Sequence, residues 1–77
     1  MPGNAQNRVA VAQQHVIEAE GHVARQRDVL TELERDAHAK AAELARAILQ
    51  NLERSLELAR EHLKREQDGH ANSSSAQ

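Results

Sequence analysis

Residues 9–37 read VAVAQQHVIEAEGHVARQRDVLTELERDA, and this stretch decides the fold. Val9, Val16, Val23, Leu30 and Ala37 recur at intervals of seven, with Ala12, Ala19, Gln26 and Leu33 between them. Only an α-helix sets positions of that spacing on one face, so the pattern predicts a coiled-coil-like helix whose a and d positions form a seam. From about Ala5 to Asp36 there is no Pro and a single Gly, Gly21. It falls at an f position, where it costs about 1 kcal/mol relative to Ala and marks either a tolerated weakness or a close backbone contact.

The chain beyond supplies a partner. Ala42, Ala45, Leu49, Leu52, Leu56, Ala59 and Leu63 form a second a/d stripe, out of phase with the first. The change of phase places a turn at about residues 37–40, between helices at about 5–36 and 41–67. A chain that stays helical through the irregularity is the alternative, with two long helices pairing between subunits. Asn4 or Asn7 is placed to cap the first helix and Asp36 the second. Lys64, Arg65 and Gly69 suit the end of the second near Gln67. Residues 1–4 are expected to be a flexible leader. Residues 68–77, with Asn72-Ser73-Ser74-Ser75-Ala76-Gln77 at the end, have nothing to bury and are expected to be disordered.

Folding one stripe antiparallel onto the other pairs Leu33 with Ala42, Leu30 with Ala45 and Gln26 with Leu49. It continues with Val23 and Leu52, Ala19 and Leu56, Val16 and Ala59, and Ala12 and Leu63. Most layers match a larger residue with a smaller one, which keeps the volume per layer even. The expected core is therefore Val16, Val23, Leu30, Leu33, Leu49, Leu52, Leu56 and Leu63. On one flank the same register sets Val29 beside Ile48, His22 beside Ser55, and His15 beside His62. The fold class expected is all-α, an antiparallel two-helix hairpin.

A single seam rich in Ala stabilises weakly. Burying a Leu contributes roughly 1.5–3 kcal/mol, and Ala much less. Ordering each residue's backbone costs ~1–2 kcal/mol. Leu44, Ile48 and Leu58 lie beside the seam at c and g positions, and Val29 with Val11 extends that surface. This second stripe needs a cover, and the expected cover is another copy, giving a homodimeric four-helix bundle with Val29, Leu44, Ile48 and Leu58 at the interface.

Composition narrows the function. At 77 residues the chain is at most one small domain, and with no Cys it holds neither a disulfide nor a cysteine-based zinc site or nucleophile. There is no Phe, Tyr or Trp to stack on bases, and the net charge of −2 comes from interspersed acids and bases, so no nucleic-acid partner is expected. No apolar run approaches the ~20 residues of a membrane span. Met1-Pro2-Gly3-Asn4 lacks a signal-peptide pattern, and a cytoplasmic protein is expected. Ser55 and Thr31 have no base-and-orienter pattern and the glycines form no phosphate loop, so no enzyme and no cofactor are expected. Charges such as Glu43 with Arg46 and Glu61 with Arg65 read as local surface pairs.

Histidine chemistry is the one alternative. Glu18 and His22, one turn apart, could touch one metal ion; His15 and His22 lie ~10.5 Å apart along the helix, too far to share one. His15 opposite His62 would bind a transition metal weakly, or repel once both carry a proton. A metal- or pH-responsive regulator built on these residues stands beside the expected role, a small structural or protein–protein interaction module. Gln26, the polar residue in the first seam, either fixes the register or reaches solvent at its edge.

His15, the run Glu20-Gly21-His22-Val23-Ala24-Arg25-Gln26-Arg27, and Leu33-Glu34-Arg35-Asp36-Ala37-His38 resemble short uncharacterised helical proteins of alphaproteobacteria. A weaker match follows at Ile48-Leu49, Leu52-Glu53 and Ser55-Leu56, and the whole covers roughly residues 15–63. Those proteins tend to carry Gly and then His-Asp-Thr at the turn, and Phe near position 52, where Ala37, Ala39-Lys40 and Leu52 stand here. The resemblance implies no activity. It does imply that His22, Arg25, Arg27 and His38 matter beyond packing.

Overall fold

A computed structural model describes the backbone of residues 4–75 and the side chains of residues 7–69. Helix α1 runs Asn4–Arg35 and helix α2 runs Ala39–Ser75, and the two pack side by side as a hairpin. Its Cα extents are 60 × 15 × 13 Å. Neither helix is long and apolar enough to cross a membrane, among the described residues.

The change of seam phase does mark a turn, and its chemistry differs from the capping expected. Ala37 sits at φ 61°, in the left-handed region. Its N–H donates to the Glu34 carbonyl at 3.2 Å, and the His38 N–H donates to the Leu33 carbonyl at 3.0 Å. Those two bonds are the Schellman pattern, which satisfies carbonyls that a helix end leaves without partners. The His38 carbonyl then accepts from the Ala42 N–H at 2.8 Å, so His38, not Asp36, is the cap position of α2. Asp36 belongs to the end of α1, its N–H donating to the Glu32 carbonyl at 3.0 Å. The linker is thereby tighter than residues 37–40, and α2 begins at Ala39 rather than 41.

At the far ends the boundaries also move. Asn7 lies inside α1 and cannot be its cap, while the expected leader falls almost wholly on residues 1–3, outside the described residues. The expected end of α2 near Gln67 and the expected disorder from residue 68 give way to helix through Ser75. Gly69 does not adopt positive φ and so does not cap. No Pro follows to break the helix, and Gly weakens a helix without ending it. Ala76 and Gln77 lie outside the described residues.

Between the helices runs the single expected seam. Ala12, Val16, Val23, Ala42, Ala45 and Leu56 are buried, and Ala19, Leu49, Leu52, Ala59 and Leu63 are partly buried against Val16, Val23 and Leu56. Leu30 and Leu33 are half-buried toward the turn. Small residues hold the helices close, but no large side chain among the described residues is fully buried.

Two backbone positions carry residues that work against their conformation. Ala37 occupies a left-handed site that disfavours a Cβ, whereas a Cβ at Gly21 would meet nothing within 4 Å, so Gly21 is the tolerated weakness and not a close contact. Ala37→Gly and Gly21→Ala should each stabilise the fold by about 0.5–1 kcal/mol. Each should raise the thermal midpoint by a few degrees, measured by circular dichroism. A fall for Ala37→Gly would mean that the left-handed turn does not form in solution.

Candidate interaction surface

The two flanks of the seam differ in chemistry. On one flank the e positions of α1 carry Glu20, Arg27 and Glu34, and the e positions of α2 carry Arg46, Glu53 and Arg60. The hairpin joins them across the half nearest the turn. Arg60 reaches Glu20 at 3.2 Å, Arg27 reaches Glu53 at 3.0 Å, and Arg46 reaches Glu34 at 2.8 Å. Helical side chains lean toward their own N-termini, so long residues on antiparallel helices lean toward each other and meet in this way.

These bridges are about half exposed, and exposed pairs contribute only ~0–1 kcal/mol each. Their order matters more than their strength. Sliding α2 by one heptad in one direction sets Glu20 against Glu53 and Arg27 against Arg46. Sliding it the other way sets Glu34 against Glu53 and Arg27 against Arg60. Like charges therefore penalise both neighbouring registers. The local pairing expected for Arg46 with Glu43 is replaced by the bond to Glu34. The alternation of sign at sevenfold spacing, Glu-Arg-Glu facing Arg-Glu-Arg, is the signal that local spacing rules miss.

Gln26 bonds across the seam instead of reaching solvent. Its Nε2 donates to the Ala45 carbonyl at 3.0 Å in a partly buried site, within one turn of the expected Leu49 layer.

The opposite flank has no such ladder. Leu44 is 65% exposed, Leu58 57%, Ile48 42% and Val29 40%. Leu44 and Leu58 occupy c positions of α2, Ile48 a g position, and Val29 a g position of α1, so all four lie on one side of the hairpin. Val11 joins this side near the open end. Ile17 is also exposed, but it stands at a b position beside the charged flank and apart from the stripe.

His15 and His22 are exposed, and no three His, Asp or Glu side chains come together to hold a metal ion among the described residues. His62 turns instead to its own helix, with Nε2 3.9 Å from Glu66 Oε1. It lines an open cleft of ≈ 220 Å³ with Asn7, Arg8, Val11 and Glu66. Glu66 continues the α2 seam one step past Leu63, a position that an apolar pattern cannot reveal. Glu18 is engaged by Gln14 at 3.5 Å. A second open cleft, ≈ 400 Å³, lies at the turn beside Leu33, His38 and Arg46. The Thr31 hydroxyl donates to the Arg27 carbonyl at 2.9 Å, a bond to its own helix.

No protein-family model, curated protein or solved structure matches the chain.

The ladder has a direct test. Arg27→Glu should lower stability by about 0.5–1 kcal/mol at low salt, and adding Glu53→Arg should restore most of it. Both effects should shrink in molar salt, where screening is strong. Denaturant titration of the two variants measures this; equal stability of the single and double variants would remove the bridge.

Proposed function

We propose that the chain is a small non-catalytic structural or protein–protein interaction module that works as a homodimer, two hairpins joining into a four-helix bundle. The observation that carries this is the exposed stripe Val29, Leu44, Ile48 and Leu58 on one flank, while the other flank is closed by ion pairs. A hairpin whose buried set is half alanine gains little from its own seam, and small scaffolds of this kind commonly complete their cores by association.

The energetics favour a reversible assembly. Burying the exposed halves of these four side chains in each of two copies contributes on the order of 10 kcal/mol gross. Association itself costs an estimated 4–15 kcal/mol. The surplus is small, so the dimer should form and dissociate with concentration. Such a module carries out its role by presenting helices to a partner and needs no reactive group.

Leu44→Glu and Leu58→Glu test this reading. Light scattering at tens of micromolar should show the mass of two chains for the parent and of one chain for both variants. Ile17→Glu, an equally exposed apolar residue off the stripe, should leave the mass at two chains. A parent that stays a single chain throughout, or a Leu44→Glu protein that still pairs, would contradict it.

A further inference from the structure

We infer that the second copy docks on α2, antiparallel to it, about a twofold axis level with Glu53; this rests on the homodimer proposed above and adds its geometry. The c and g positions of α2 run Ala41, Leu44, Ile48, Asn51, Ser55, Leu58, His62 and Arg65, a heptad stripe of their own. A twofold interface is self-complementary, so the stripe must match its own reverse. With the axis at Glu53, Ile48 meets Leu58 of the second copy, and Asn51 meets Ser55 of the second copy. Leu44 then meets His62, and Ala41 meets Arg65. Ile48 and Leu58 make two apolar contacts related by the twofold, Leu44 and Ala41 pack on the stems of His62 and Arg65 at the ends, and the polar pair lies at the centre, where an amide and a hydroxyl can bond and hold the register.

The neighbouring registers lack this match. A slip of one heptad one way sets Ile48 against Asn51 and Leu44 against Ser55. The other way sets Ile48 against Arg65 and Leu58 against Ser55. Of the three, only the central register sets Ile48 against Leu58 and pairs Asn51 with Ser55.

The direction of the stripe fits a bundle. At 100° per residue the c/g stripe lies about 110° around α2 from the a/d seam, near the right angle at the corner of a square four-helix bundle. The twofold therefore brings both α1 helices to the same side. The hairpin register fixes how they align, with His22 at the axis. Arg8 then lies level with Asp36 of the second copy, and Glu18 level with Arg25 of the second copy. Both pairings are of opposite charge. On α1 this flank carries Glu18, Arg25 and Glu32 beside Val11 and Val29, so α2 supplies most of the apolar contact and α1 the charges that border it.

Area agrees with a reversible dimer. A stripe of ~25 residues is about 36 Å long, and at a helix width of ~10 Å it offers a footprint of roughly 400 Å² per copy. That is about half of the ~800 Å² per partner typical of standard interfaces, in the range of weak and transient ones, with the α1 rim adding to it.

The absence of native cysteine makes the register directly readable. Ile48→Cys and Leu58→Cys proteins are prepared separately, mixed and oxidised. Mixed disulfide dimers should exceed either self-linked species several-fold. In this register residue 48 meets residue 58 of the other copy, while like positions lie about 15 Å apart along the axis, beyond disulfide reach. A second measurement avoids the apolar positions: spin labels on Ala47, Arg54 and Glu61, all at solvent-facing f positions, should give the shortest inter-subunit distance at Arg54. Self-linking of Ile48→Cys as efficient as mixed linking, or a shortest distance at Ala47 or Glu61, overturns the register while a two-chain mass leaves the homodimer standing. A single-chain mass for the parent overturns both.

Discussion

Everything in this fold depends on one residue leaving the helix. Ala37 at φ 61° reverses the chain, and without that reversal the two apolar stripes could meet only between subunits. The site is made by an alanine, which tolerates left-handed geometry less well than glycine, so the turn is held by what surrounds it. Its two Schellman bonds satisfy the end of α1, and the His38 carbonyl begins α2 at once. The seam then returns the energy of the strained residue through Val16, Val23 and Leu56, which pack together only if the chain turns.

A seam of valine, leucine and alanine is permissive about alignment, because one apolar layer resembles the next. Two features remove that freedom. The Arg–Glu ladder makes each one-heptad slip a set of like-charge contacts, and the short turn limits how far the helices can slide. Neither adds much stability. They select one register among several of similar apolar content, and they leave the apolar stripe of the other flank uncovered.

The hairpin and its layers were legible because burial imposes a period, and Val16, Val23, Leu49 and Leu56 show that period without reference to anything distant. The exposed stripe at Leu44, Ile48 and Leu58 was legible for the same reason. The cross-helix ladder was not, because Glu43 and Arg46 satisfy local spacing as well as Glu34 and Arg46 satisfy the folded pairing; only a register commits the arginine. The ends of the helices were hidden for a different reason. Helix termini depend on weak capping preferences, so Asp36 and Gly69 were plausible caps that the backbone did not use. The surroundings of His62 were hidden as well: its Nε2 lies 3.9 Å from Glu66, a seam position that the apolar pattern does not mark.

A chain that turns at Ala37 and pairs its hairpins is short and thick, whereas one that stays helical is long and thin. Small-angle X-ray scattering with calibrated mass separates these most directly. The mass of two chains in a particle whose longest dimension is close to the 60 Å extent of the hairpin is the expected result. A rod of about 90 Å or more, the length a continuous helix of ~60 residues or more would reach at 1.5 Å rise, would contradict the turn on which the whole structure rests.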